Sequence, residues 1–180
     1  TPSPRRSSHK TPSPGRSSLK RSRKTSPQNR NEYEKLKGLA KHILEQYKDG
    51  YIVGSMAIAL REEAFGITPT PYPNDIDIVL PVDQGVATLP HIDGITPHSG
   101  MTTKGAKFYG NMPYKGLEVD VILEEKERPE IVEIDGLGVL NIESLKSRYK
   151  DITTSWEYAD ADKKSALTKL VRLNKLSHDL

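Results

Sequence analysis

The chain contains no cysteine, which rules out disulfides and thiolate metal sites and fits a reducing compartment. No apolar run approaches the roughly 18 residues of a membrane span. A Walker-type glycine-lysine loop and a Gly-x-Ser-x-Gly elbow are both missing, and with them P-loop and hydrolase-elbow chemistry. His42, His91, His98 and His178 show no ligand spacing, which argues against zinc. The start has neither Met nor an apolar signal core, as in a processed chain or a fragment. An intracellular setting, cytoplasmic or nuclear, is expected.

Acid is the other local absence. Of 27 Lys and Arg and 24 Asp and Glu, nine basic residues and no acidic ones fall in residues 1–31. That leaves 18 basic against 24 acidic in 32–180, so a tail of +9 precedes a remainder of −6. Residues 1–10, TPSPRRSSHK, recur as 11–20, TPSPGRSSLK. Prolines at 2, 4, 12 and 14, many serines and almost no apolar side chains cannot offset the entropy of ordering, so residues 1–31 are expected to be disordered. Such a tail suits a solvated linker, nucleic acid or an acidic partner, or a targeting role. Its Ser-Pro and Thr-Pro steps are candidate phosphorylation sites that would cancel positive charge.

Residues 32–180 suffice for one core. Helical spacing marks 32–47, closed by Gly50. A short strand follows at 51–53, then a Gly54-Ser55 turn and a helix over 56–63. The Pro-rich stretch 66–73 is an irregular connector. Strand 75–80 is expected to stop at Pro81, and 81–104 to be loop-rich. Hairpins are expected for 107–110 with 117–123 and for 131–134 with 139–142, and helices over 143–150 and 161–177. The class is α+β, a small mixed or antiparallel sheet flanked by helices.

The chemistry concentrates in Asn74-Asp75-Ile76-Asp77-Ile78-Val79-Leu80. Side chains alternate along a strand, so Asp75 and Asp77 share one face while Ile76 and Ile78 anchor the other. A third acid, Asp120, stands in another apolar run, Leu117 to Leu123. Three converging carboxylates are costly to hold together without a cation. The competing reading is a pair of solvent-facing aspartates at a sheet edge. Gly54-Ser55, between strand and helix, reads either as a phosphate cradle or as an ordinary N-cap.

Gly54-Ser55, Asp75-x-Asp77 and the lone Asp120, in that order, resemble the polymerase-β-type nucleotidyltransferase superfamily. The similarity covers residues 51–123. It implies that Asp75, Asp77 and Asp120 hold two Mg²⁺ (or Mn²⁺) ions, Asp120 ligating the one that activates the acceptor. It also implies that Gly54 and Ser55 cradle the triphosphate of an NTP such as ATP. Two departures stand out: a spacing of 20 positions from Ser55 to Asp75, and Pro73-Asn74 where many relatives carry Ser, Thr or Arg.

The flexible loop 98–105 offers Lys104 as a further nucleotide-binding residue, against the plainer reading of a surface loop. Glu118 shares the parity of Asp120 and is expected to be peripheral. Trp156 and Tyr158 are expected to pack a helix, and the lysines of 163–175 to form a solvated face with the alternative of holding a triphosphate. The expected function is Mg²⁺-dependent transfer of a nucleoside monophosphate to a hydroxyl on protein, RNA or a small molecule, with release of pyrophosphate. Its rivals are a non-catalytic nucleotide-sensing or interaction module with a working basic tail, and a metal-dependent phosphohydrolase.

Overall fold

The computed structural model describes residues 27–82, 91–94, 102–104, 107–114, 117–125 and 129–178. Among these residues four helices surround one seven-stranded mixed sheet. In chain order these are α1 (Pro27–Gln46), β1 (Tyr51–Val53), α2 (Gly54–Ala64), β2 (Asp75–Val82) and β3 (Thr102–Lys104). Then come β4 (Lys107–Tyr114), β5 (Leu117–Glu125), β6 (Ile131–Ile134), β7 (Leu137–Leu140), α3 (Ile142–Thr154) and α4 (Asp160–His178). The sheet order is β3-β4-β5-β2-β1-β7-β6. Only β2–β5 and β1–β7 run parallel. The α+β class with a mixed sheet is thus as expected.

The two faces of the sheet divide the labour. Ile76, Ile78 and Leu80 point to one side and are buried, where α1 and α2 cover them. Tyr33, Leu36, Ala40 and Ile43 give α1 a buried stripe, and α2 is buried from Met56 to Glu62. Full burial of an aliphatic side chain contributes about 1.5–3 kcal/mol, so this layer anchors β2. The other face carries Asp75, Asp77 and Val79. There α3 lies over β5, with Arg148 donating to Glu124 at 2.6 Å. Helix α4 packs on α3 and reaches α2 through an Arg172–Glu62 ion pair.

Several boundaries move. Helix α1 begins at Pro27, so residues 27–31 belong to the helix and not to the tail; proline is accepted in a first helical turn. Residues 1–26 lie outside the described part. Strand β2 runs through Pro81 to Val82. Beyond the Tyr51↔Val79 pair only β5 flanks it, and a proline is tolerated where one edge lacks a partner. Much of 81–104 lies outside the described residues, but 102–104 forms β3. The β4–β5 hairpin carries its pairing to Tyr114↔Leu117, well past the expected strand end at 110. The β6–β7 hairpin pairs to Ile134↔Leu137. Its turn is Asp135-Gly136 alone, both at positive φ (52° and 74°), as a tight two-residue hairpin turn requires.

Candidate metal and phosphate site

Register brings the acids together. Asp77 pairs with Asp120 across the parallel β2–β5 ladder, and Asp75 with Glu118 one step along the same face. Residues directly opposite share a face of the sheet, so the alternation that buried Ile76 and Ile78 also aligns the carboxylates. Ligand oxygens of Asp75, Asp77 and Asp120 lie within 4.8 Å of one another. Among the described residues this is the one acid, histidine or cysteine group close enough to share a cation. The acids sit mid-sheet, not at an edge.

The third wall is the β1–α2 junction. Val53 pairs with Asp77, and the chain turns at Gly54 (φ 72°) straight into α2. The N-cap is Val53 with no side-chain cap, so Ser55 is not the capping residue. Val53 has no side-chain acceptor to offer the first amides of α2, and a helix start favours an anion.

Ser55 instead lines a cavity of about 480 Å³ with Asn74, Asp75, Lys164, Lys169 and Arg172. Its wall is the buried connector around Pro73 on one side and α4 on the other. Arg172 is already engaged by Glu62, so the cationic reach into the cavity comes mainly from Lys164 and Lys169. From sequence these lysines read as a solvated face, and their spacing on α4, five residues apart, carried no signal that both border the cavity. Lys104 ends the edge strand β3, opposite Lys107, and the backbone does not bring it beside the three acids. At the far end of the sheet another cavity of about 440 Å³ meets Lys48, Asp49, Tyr51, Pro81 and Ile131, with no comparable cluster of acids.

The electrostatics favour a cation. Burial, then the nearby charges of Asp75 and Asp120, push the Asp77 carboxyl up to about 7. Lys169 opposes the shift, and a hydrogen bond to Asp120 adds to it. Part of the Asp77 surface still meets solvent, but the surrounding protein and two neighbouring acids outweigh that access. Without a cation these causes favour the protonated Asp77 carboxyl, whose O–H can donate to Asp120. A hard divalent ion with oxygen ligands fits this donor set and removes the repulsion that the proton otherwise relieves. Nearby, burial and Asp77 raise the Tyr149 hydroxyl well above its ordinary range, keeping it neutral.

Trp156 does not pack a helix: it is 88% exposed, in the turn between α3 and α4. Tyr158 lines a second cavity beside Asp77.

Solved structures share this architecture. JHP933 from Helicobacter pylori matches with a TM-score of 0.50 and 16% identity, over 83% of this chain and 67% of its own. A Megavirus polyadenylate synthase matches with a TM-score of 0.50 and 12% identity, over 83% of this chain and 32% of its own. The chain therefore spans about a third of the synthase's length. No family model matches the sequence, and no curated protein does. At these identities the likeness is one of fold, the mixed-sheet α+β architecture described above.

Proposed function

We propose that the chain transfers a nucleoside monophosphate from an NTP to a hydroxyl acceptor and releases pyrophosphate. The observation that carries this reading is the meeting of three carboxylates at the head of a basic, serine-lined cavity. Neither half suffices alone: acids repel a triphosphate, and a lysine pocket without them has nothing to organise the reacting phosphate.

Asp75, Asp77 and Asp120 would hold Mg²⁺ or Mn²⁺. Bound there, divalent ions lower the pKa of the attacking hydroxyl and neutralise the leaving pyrophosphate. Ser55 and the first amides of α2 would hold the phosphate tail, with Lys164 and Lys169 across the cavity. The attacking oxygen bonds to the α-phosphorus, the bond to the bridging oxygen breaks, and pyrophosphate leaves with that electron pair. The acceptor proton passes by way of the Asp120 carboxylate to solvent. Gly54 keeps the backbone low enough for Asp77 to stand against it.

Incubation with α-labelled and γ-labelled NTPs in Mg²⁺ tests the proposal. The α-label is expected on an acceptor and the γ-label in pyrophosphate. Asp77→Asn and Asp120→Asn should each lower transfer on the order of 10²–10³-fold. Release of inorganic phosphate in place of pyrophosphate would favour a phosphohydrolase instead.

A further inference from the structure

The sheet ends at β6, whose outer edge meets no strand among the described residues. Its register shows which backbone groups are left over. Ile134 pairs with Leu137 across the Asp135-Gly136 turn, and residues flanking such a turn exchange their hydrogen bonds. Bonded positions alternate along the ladder, so Val132 and Ile134 face β7. The Asn141 amide donating to the Glu130 carbonyl continues that series. The N–H and C=O groups of Ile131 and Glu133 therefore point outward.

Exposed edges are commonly blunted with lysine or proline, and β6 itself has neither. Ile131 is 39% exposed and Val132 37%, so apolar surface is offered on both faces of the strand. Glu130, Glu133 and Asp135 are exposed beside them, and no base interrupts 130–135. On the face of Ile131 and Glu133 lies the cavity of about 440 Å³, with Leu44, Tyr51 and Pro81 on its apolar side. Lys48 and Asp49 bring it one charge of each sign. Gly138, opposite Glu133, adds no side chain; a Cβ there would stand 3.3 Å from Cγ2 of Ile131.

Three occupants compete for such an edge. A second copy pairing antiparallel would set the acids of β6 against themselves, and like charges across a ladder are destabilising. Residues 1–26 are basic, but their one large aliphatic residue is Leu19, and they carry prolines at 2, 4, 12 and 14. Proline cannot donate to a ladder. A segment that mixes bases with apolar residues matches both the acids and the pair Ile131 and Val132.

We propose that β6 is a docking edge for an extended, basic and apolar segment of another protein, which adds a strand to the sheet. Its basic side chains stand against Glu130, Glu133 and Asp135. The residue opposite Ile131 shares that side chain's face and turns an apolar group toward the cavity. The edge lies three strands from β2, and the inference does not depend on the nucleotidyl-transfer reading.

The probe is a fluorescein-labelled peptide, Lys-Thr-Lys-Val-Leu-Lys, whose antiparallel register runs from Asp135 back to Glu130. Anisotropy with the full chain should show saturable binding below about 1 mM. N-methylation of the third and fifth peptide residues keeps every charge but removes the N–H groups that meet β6. That peptide should bind about tenfold more weakly. Alanine in place of the peptide leucine should also cost about tenfold, through lost apolar contact in the cavity. Glu133→Lys should weaken the parent peptide about tenfold and flatten its salt dependence. Hydrogen exchange followed by NMR on wild type should show the amides of 131 and 133 slowed by the peptide, and those of 132 and 134 unchanged. That readout uses the unaltered protein, so no variant has to fold. Equal binding of the N-methylated peptide would mean charge attraction alone, and protection at other amides would place the peptide elsewhere; either result overturns the proposal. So would the absence of saturable binding. Tighter binding by a synthetic peptide of residues 1–26 would make the chain's own segment the occupant and overturn it too. A wild-type dimer in sedimentation, with the amides of 131 and 133 already protected, would do the same in favour of a second copy.

Discussion

Gly54 and Asp77 leave no room between them for a side chain. A Cβ built on Gly54 would fall onto Oδ2 of Asp77, with the Asp77 Cβ itself only 3.2 Å away. The backbone there is also left-handed, at φ 72°. One residue thus satisfies two demands, the turn into α2 and the close approach of a candidate metal ligand.

Gly54→Ala should therefore damage both. The left-handed conformation alone costs roughly 1–2 kcal/mol for a residue with a Cβ, and displacement of Asp77 adds to that. Urea unfolding should show the lost stability, and Mn²⁺ titration followed by electron paramagnetic resonance should show weakened binding. Full Mn²⁺ affinity in this variant would mean that Asp77 does not need its present position.

The raised Asp77 carboxyl predicts a pH dependence in the absence of metal. Its folded value near 7 lies above the ordinary 3.8, so the folded state binds the proton more tightly than the unfolded chain. The contribution is fully present below about pH 4 and is lost as pH rises through about 7. In EDTA, Asp77→Asn should be more stable than wild type at pH 8, on the order of 1–3 kcal/mol, and the difference should shrink at pH 5. Saturating Mg²⁺ should narrow the gap at pH 8 by stabilising only wild type. Parallel urea curves at the two pH values, with and without Mg²⁺, would show it.

The central strands were legible because two periodicities coincide there. Ile76 and Ile78 demand a buried face, and the same alternation fixes Asp75 and Asp77 opposite it. Asp120 followed from the apolar residues around it. The strand ends were not legible, because pairing with neighbours carries β2 through Pro81 and β4 through Pro113 against local preference. Tyr149 gave no signal at all: in sequence it is one more aromatic on a helix, and only tertiary packing leaves its hydroxyl without a hydrogen-bond partner among the described residues. Lys164 and Lys169 looked solvated because exposed and cavity-facing lysines have the same helical spacing.

Arg172 and Lys169 line the same cavity but should behave differently. The Arg172–Glu62 pair is largely buried, and removing one partner of such a pair typically costs about 3–5 kcal/mol. Arg172→Ala should mainly destabilise the fold, and the double change with Glu62→Ala should cost less than the sum of the single ones. Lys169→Ala should leave stability within about 0.5–1 kcal/mol and weaken binding of a triphosphate analogue. Chemical denaturation with a double-mutant cycle, beside analogue titrations, separates the two roles. Equal loss of nucleotide affinity in both variants, at unchanged stability, would contradict this division.

The most direct measurement is anomalous diffraction from crystals grown with Mn²⁺ and an α,β-methylene nucleoside triphosphate. Manganese density is expected among the carboxylates at 75, 77 and 120, with the phosphate tail beside Ser55 and Lys164. Metal bound elsewhere, or nucleotide density away from Ser55 with the three acids bare, would contradict the assignment of this site.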